Sequence, residues 1–254
     1  MKLLITGGSG SLAKYLEVYL KKCGHQVIIA SSKNKISDRF FDLNQDYDST
    51  LLDGVAAVVH CSNNPNYVFN SIEERFLLES ISRDIKLVYI GSTSSYLVSK
   101  NKYGLYKQTV ESFTEKIGGL VLTCGLIYGK NFIGQISRLE TGLKRLPFRI
   151  FLSGSKSVFL TDVISIATTI DTILNTNKLV QGRILVLDSD LLSFNDLLDK
   201  LGGYKKFKLI LSAKFIAVAL NFLPFTSNHF SKDRFKGILS DFESGLFSNS
   251  RKAV

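Results

Sequence analysis

The chain has 254 residues, 45% hydrophobic and 21% charged, a composition that can bury a sizeable core and is not that of a disordered protein. The formal charge is +10, but lysines are spread along the sequence and no nucleic-acid module is recognisable, so the charge points to a small anionic ligand and not to DNA or RNA. Cys23, Cys61 and Cys124 are far apart and odd in number, which gives neither a disulfide framework nor a metal site, and MKLLITG opens as an apolar strand without a secretory leader; the expectation is a cytoplasmic protein.

Short apolar runs alternate with helical spacing along the first half. LLIT (3–6) predicts a strand, and Leu12, Leu16, Tyr19 and Leu20 predict a helix over 11–22 that stops at Gly24. VIIA (27–30) is a second strand, and VAAVVH (55–60) is another, followed by the turn Asn63-Asn64-Pro65. A helix over 70–82, a strand KLVYIG (86–91), a helix over 103–117 closed by Gly118-Gly119 and a strand LVLTCG (120–125) continue the pattern. This order predicts an α/β protein with a Rossmann-like doubly wound parallel sheet and a ligand at the carboxyl ends of its strands.

The second half is less regular. SVFLTDVISIATTIDTIL (157–174) reads as a strand running into a helix, GRILVLD (182–188) as a strand, and SFNDLLDKLGG (193–203) as a Ser-capped helix. No repeat and no Pro- or Gly-rich linker divides the chain. We therefore expect one unit over 1–254: a nucleotide-binding core of 1–130 plus 155–188, and a small discontinuous C-terminal substrate lobe of 131–154 plus 189–254. Residues 207–225, FKLILSAKFIAVALNFLPF, are strongly apolar, with Lys205, Lys206 and Lys208 in front and Lys232, Arg234 and Lys236 behind. Lys214 and Asn221 interrupt the run and argue against a membrane-spanning helix. A core-packing helix is expected, with a helix lying on an anionic membrane surface as the alternative.

Chemistry concentrates at two places. Thr6-Gly7-Gly8-Ser9-Gly10-Ser11-Leu12-Ala13 follows a strand and opens a helix. Gly7 permits the tight turn, Gly10 lets the backbone approach a pyrophosphate seated on the helix N-terminus, and Ala13 is small enough for close helix–strand packing. That is a dinucleotide loop. After the second strand stands Ala30-Ser31-Ser32-Lys33, where an acid would bind the ribose hydroxyls of NAD; with no carboxylate and with hydroxyl and ammonium donors, the site favours NADP over NAD. Against this, Lys33 can be read as a solvated loop lysine. The second place is Tyr103 and Lys107, four apart at the start of a helix and so on one face. A phenol titrates near pH ~10, and an ammonium beside it, with an oxidised nicotinamide, lowers that value toward neutrality. Tyr96 and Lys100 share the interval but lie among serines, in a predicted loop. Ile90-Gly91-Ser92-Thr93-Ser94-Ser95 ends a strand with hydroxyls that can orient a substrate carbonyl, or that form an ordinary Ser/Thr turn.

Together these pieces resemble the extended short-chain dehydrogenase/reductase superfamily, in particular its nucleotide-sugar epimerases, dehydratases and 4-keto reductases. TGGSGSLA resembles the family's TGGxGxxG loop, with Ala13 for its last glycine. Phe41-Asp42-Leu43 resembles its adenine-contacting element, Gly54 to Ser62 its GVDAVVHLAA strand, and Asn70 to Glu79 the helix that comes after it. IGSTSS places Thr93 at the catalytic hydroxyl, with Ser92 as the near alternative. YGLYKQTVE resembles YxxSKxxxE and places Tyr103 and Lys107 as the catalytic pair. Cys124 to Gly129 and Val158 to Val163 resemble the strands leading into the second lobe. The resemblance implies cofactor contacts from Gly7, Ser9, Gly10, Ser11, Leu12, Ser31, Ser32, Lys33, Asp42, Leu43, Cys61, Ser62 and Lys107. It departs from the family in the short stretch between Thr93 and Tyr103, in Leu122-Thr123 for the usual Arg-Pro, and in a short last lobe whose diphosphate-binding candidates are Arg138, Arg145 and Arg149. It implies NADP-dependent reduction of a 4-keto nucleotide sugar in surface-polysaccharide precursor synthesis, with a homodimer as the assembly common among such proteins. The alternatives are a 4-epimerase with tightly held NAD, and a non-catalytic NADP-sensing protein of the same fold.

Overall fold

The computed structural model describes residues 1–33, 37–97, 101–153, 157–176, 180–187, 192–202 and 208–212. The continuously apolar runs form strands because both faces of their sheet are covered by helices. In chain order the first half comprises β1 (Lys2–Thr6), α1 (Ser11–Lys22), β2 (Gln26–Ser31), β3 (Arg39–Phe40), β4 (Ala57–His60), α2 (Ser71–Ser82), β5 (Lys86–Ser92), α3 (Lys102–Lys116) and β6 (Leu120–Cys124). Next come β7 (Leu126–Tyr128), α4 (Gln135–Arg145), β8 (Arg149–Ser153), β9 (Ser157–Val158), β10 (Leu160–Asp162), α5 (Val163–Asn175) and β11 (Gly182–Val186). The last elements are β12 (Leu192–Ser193), α6 (Phe194–Gly202) and β13 (Lys208–Ser212).

The central sheet has seven strands in the order β11-β6-β5-β4-β1-β2-β3, every pair of them parallel. From β1 the chain winds outward through β2 and β3, then crosses back to β4 and winds the other way. The doubly wound parallel sheet expected from the sequence is thus present, and its switch point lies between the carboxyl ends of β1 and β4.

Alternate residues of each strand serve opposite faces. Leu3 and Ile5, with Val59, Val88, Ile90 and Leu122, pack under Ala13, Leu16 and Leu20 of α1 and Ile166, Ala167 and Ile170 of α5. Leu4, Val58, Leu87, Tyr89 and Val121 face Phe76 and Leu77 of α2 and Tyr106 and Val110 of α3. Each of the Leu, Ile, Val and Phe side chains among them stabilises the fold by roughly 1.5–3 kcal/mol, so these two layers hold the strand ends rigidly. Side-chain caps start the helices where the sequence allows: Asn70 Oδ1 accepts from Glu73 N–H at 3.0 Å, Asn101 Oδ1 from Gly104 N–H at 2.8 Å, and Asp162 Oδ1 from Ile164 N–H at 2.9 Å.

A third, smaller cluster joins Leu143 of α4, Val158 of β9 and Phe194, Leu197 and Leu198 of α6. Around it β10 pairs with β7, β12 with β9 and β13 with β8. One expectation is corrected here. The front of the apolar run 207–225 is a strand and not a helix: Lys208–Ser212 pairs in parallel with Arg149–Ser153, whose edge pairs with the backbone of Leu209 to Leu211; residues 207 and 213–225 lie outside the described residues. Tyr96 lies in the connection between β5 and α3, where it closes a 3-10 turn, Thr93–Tyr96. Among the described residues, no helix is long and apolar enough to cross a membrane.

Candidate active site

A cleft of about 720 Å³ opens at the carboxyl ends of β1, β2, β4, β5 and β6, toward the upper part of the about 300–1,000 Å³ span of ligand pockets. The glycine loop forms its floor. Gly7 sits at φ +73°, and a Cβ there would stand 3.0 Å from the backbone of Cys61 and Ser62, so the turn passes directly against the end of β4. Gly8 N–H donates to Ala30 O at 3.0 Å, and Gly10 N–H to Gly7 O at 2.8 Å, closing the loop onto β2 and onto itself. Unlike the helices capped by Asn or Asp, α1 begins at Gly10 with no side-chain cap. Ser11 and Leu12 line the cleft, so the first-turn amides and the positive end of the helix dipole are left for an anion. Ala13 is 1% exposed in the core beneath. These glycines, this uncapped helix start and this volume fit a dinucleotide.

Beside β2 the cleft is lined by Ser31 at the strand's end, by Ser32 after it, and by Asp42 and Leu43. Asp42 turns its carboxylate to its own loop, accepting from Asn44 N–H at 2.9 Å and Asn44 Nδ2 at 3.0 Å. Lys33 is exposed and is not among the cleft residues; its N–H donates to Ser31 Oγ at 3.2 Å. An acid that no motif marks in the sequence, Asp38, lies close to the end of β2. Its carboxylate accepts Ile29 N–H at 2.8 Å and it does not line the cleft.

At the opposite side Thr93, Tyr103 and Lys107 all face the same cavity, with Cys61 and Ser62 between them and the glycine loop. Lys107 is 3% exposed; its Nζ donates to Ile90 O at 2.7 Å and to Tyr89 Oη at 3.0 Å and stands 6.0 Å from the centre of the Tyr103 ring. Burial pushes the Tyr89 phenol well above its ordinary pKa and the Cys61 thiol up to about 12, so neither adds a negative charge beside Nζ. The turn bearing Thr93 docks closely on α3: a Cβ at Gly104 would lie 2.6 Å from Ser94 O, so only glycine lets turn and helix meet over so short a connection.

Glu111, one helical turn beyond Lys107, ties this turn down. It is fully buried; its Oε1 accepts Ser92 N–H at 2.8 Å and its Oε2 lies 2.8 Å from Ser95 Oγ. Arg183 on β11 reaches Glu111 Oε2 at 2.7 Å and grips Glu115 at 2.9 and 2.6 Å, and it also contacts Tyr96 Oη. Burial raises the Glu111 pKa, with Arg183 opposing the rise. The motif spacing contained Glu111, but its partner is 72 positions away and left no local signal.

A second buried network stands behind the cleft floor. Thr6 Oγ1 accepts from the amides of Cys61 and Ser62 at 3.2 and 3.3 Å, so its hydroxyl hydrogen points to His60 Nδ1, 2.9 Å away. His60 is then the Nε2–H tautomer, donating to Glu73 Oε1 at 3.2 Å. Tyr106 Oη donates to the same oxygen at 2.7 Å and accepts Asn64 N–H at 3.1 Å. Asn64 opens the turn that carries Tyr67, whose ring meets that of Tyr103 edge to face at 5.3 Å. In the sequence this segment reads only as a turn.

The far end of the cleft is walled by Phe132, Ile133, Gln135 and Arg138 at the start of α4 and by Val158 and Phe159. Of the three candidate arginines only Arg138 is there. Arg145 is exposed at the end of α4, and Arg149 is paired with Asp199 at 2.8 Å.

The sheet order, the uncapped glycine loop and the cleft across the strand ends make a Rossmann-like doubly wound fold. Solved structures agree. A dTDP-4-dehydrorhamnose reductase from Bacillus anthracis in complex with NADP superposes with a TM-score of 0.67 at 18% identity, over 92% of this chain and 98% of that one. A UDP-glucuronic acid 4-epimerase from Bacillus cereus, in complex with UDP-glucuronic acid and NAD, gives 0.62 at 18% identity over 94% and 98%. MoeE5 in complex with UDP-glucuronic acid and NAD gives 0.68 at 17% identity over 84% and 86%. No family model and no curated protein matches the chain.

Proposed function

We propose that the chain is an NADP-dependent oxidoreductase that reduces the keto group of a 4-keto nucleotide sugar, a step in making surface-polysaccharide precursors. The observation that carries this is the convergence of Thr93, Tyr103 and Lys107 on the cleft whose floor is the glycine loop. The likeness to structures holding NADP or NAD, and in some cases a UDP-sugar, supports it. NADPH, when bound, supplies the hydride. Gly7, Ser9, Gly10, Ser11 and Leu12 would hold its pyrophosphate, with Asp42, Leu43, Cys61 and Ser62 along its length. Ser31 and Ser32, with Lys33 beyond them, would receive the 2′-phosphate, while Asp38 does not line the cleft. Thr93 orients the sugar carbonyl by hydrogen bonding, and Tyr103 gives its proton to the oxygen as the alkoxide forms. Lys107 stabilises the resulting phenolate through its fixed charge and would hold the nicotinamide ribose. The diphosphate of the sugar nucleotide would lie toward Arg138 and the start of α4.

The test is NADPH absorbance with dTDP- and UDP-4-keto hexoses. Stoichiometric oxidation is expected, falling about 100-fold or more in Tyr103→Phe; undiminished turnover in that variant would refute the mechanism. Tighter binding of NADH than NADPH would refute the cofactor choice. The likeness to the 4-epimerase sustains a second reading, which C4 inversion of a sugar nucleotide without net NADPH oxidation would favour. Cofactor binding without either reaction would point to a sensing role.

A further inference from the structure

We propose that Tyr67 is the wall against which the sugar ring stacks, so that this cleft selects a pyranose by the C–H face it presents to an aromatic ring. The inference rests on the keto-sugar reading above. Tyr67 has φ +55°, a left-handed conformation in which a side chain's Cβ crowds the following carbonyl and which a bulky residue adopts only when its surroundings impose it. Here they do. Tyr67 N–H donates to Asn64 O at 3.0 Å, and Asn66 N–H to Asn64 Oδ1 at 2.9 Å. Asn64 is 2% exposed and is anchored by Tyr106 Oη at 3.1 Å. A buried hydrogen-bonded base thus enforces an unfavourable backbone at an aromatic residue.

What the strain achieves is placement. The Tyr67 ring lies 5.3 Å from the Tyr103 ring at 71° and 6.2 Å from that of Tyr106, and it lines the cleft with Tyr103 and Leu97. A glycine would satisfy the backbone without strain, so what the turn holds in place is the ring, which packs on one side against the core under α2 and α3 and lines the cleft on the other; strain of this kind concentrates where a group must be held for function. The ring stands next to the phenol assigned to protonate the carbonyl oxygen, where the reacting sugar has to sit. An aromatic surface there contacts ring C–H groups and gives area and orientation at little conformational cost.

The experiment compares Tyr67→Phe, Tyr67→Ala and Tyr67→Gly with the unaltered protein, by steady-state kinetics on the 4-keto sugar nucleotide, NADPH titration and thermal melting. Loss of the ring in the Ala and Gly variants is expected to raise KM for the sugar about tenfold, with kcat and the NADPH Kd within about twofold. Tyr67→Phe keeps the ring and should stay within about twofold of the unaltered KM. Tyr67→Gly should melt higher than Tyr67→Ala, because glycine alone relieves the left-handed φ. An unchanged KM in the Ala and Gly variants would overturn the proposal, as would a parallel loss of NADPH affinity or a Phe variant as impaired as Ala. If the unaltered protein oxidises no NADPH with keto sugars, the functional reading itself fails, and with it the assignment of a sugar to this wall. Turnover by the unaltered protein with insensitive variants removes Tyr67 alone.

Discussion

Replacing Arg183 by methionine tests whether the charge pair under the Thr93 turn is an energetic element of the site. Arg183 binds two carboxylates, and its removal affects them differently. Glu115 is partly exposed and regains water; Glu111 has no exposed surface and cannot. Glu111 keeps the Ser92 amide and the Ser95 hydroxyl yet loses the charge-assisted bond at 2.7 Å. Removing one partner of a buried pair costs about 3–5 kcal/mol; with Arg183 itself 20% exposed and two hydrogen bonds retained, about 2–3 kcal/mol is the expected loss at neutral pH. The loss depends on pH in a defined direction. Burial already raises the folded-state pKa of Glu111, and Arg183 opposes that; without Arg183 the rise is larger. An acid whose folded pKa is raised contributes no penalty while protonated in both states, and destabilises progressively as pH climbs from the ordinary carboxylate range through the raised value. Urea unfolding should therefore show Arg183→Met much weaker than the unaltered protein at about pH 8 and only slightly weaker at about pH 4–5. Glu111→Gln in the same background should recover most of the difference. Equal destabilisation at both pH values, or no recovery from the second substitution, would show that Glu111 is not the group carrying the effect.

The cleft floor and the network behind it give two further tests. Gly7→Ala places a Cβ at φ +73°, 3.0 Å from the backbone of Cys61 and Ser62; it should cost about 1–2 kcal/mol in thermal unfolding and weaken NADPH binding at least about tenfold by fluorescence titration. Tyr106→Phe deprives the Asn64 amide of its acceptor and Glu73 of a donor; a loss of about 1–3 kcal/mol is expected in denaturant unfolding, and an unaffected midpoint would mean that the turn does not depend on this network.

The parts of this molecule visible in its sequence are those governed by local rules. Apolar runs at Leu3–Thr6 or Val58–His60 can form nothing but buried strands once helices flank them, and a strand–glycine loop–helix series has one common geometry. Asn70, Asn101 and Asp162 cap helices through contacts two or three residues away. What stayed hidden rests on distant pairing. Lys208–Ser212 reads as the front of a helix until β8 offers it an edge. Arg183 meets Glu111 only because β11 adds beside β6. Tyr67 adopts φ +55° because Asn64 is held from α3, and nothing in Asn-Pro-Asn-Tyr demands that. Lys33, the most suggestive residue for NADP by its charge, stands outside the cleft, while Ser31 and Ser32 line it.

The two ends of the cleft differ in how tightly sequence constrains them. The floor is made of backbone: the amides of Ser11 and Leu12 at an uncapped helix start, and the close passage of Gly7 against Cys61. Many sequences can build those groups if small residues and buried strands are kept, which accounts for a superposition at TM-score 0.67 with 18% identity and no matching family model. The far end is made of side chains: Phe132, Ile133, Gln135 and Arg138. Exchanging Gln135 or Arg138 leaves the strand ends, the glycine loop and the Glu111–Arg183 pair untouched, because neither is buried, whereas Phe132 is buried against Tyr15 of α1. Substitutions at Gln135 or Arg138 should therefore shift KM among sugar nucleotides with little effect on cofactor affinity or melting temperature, whereas substitutions on the floor should move cofactor affinity and stability together.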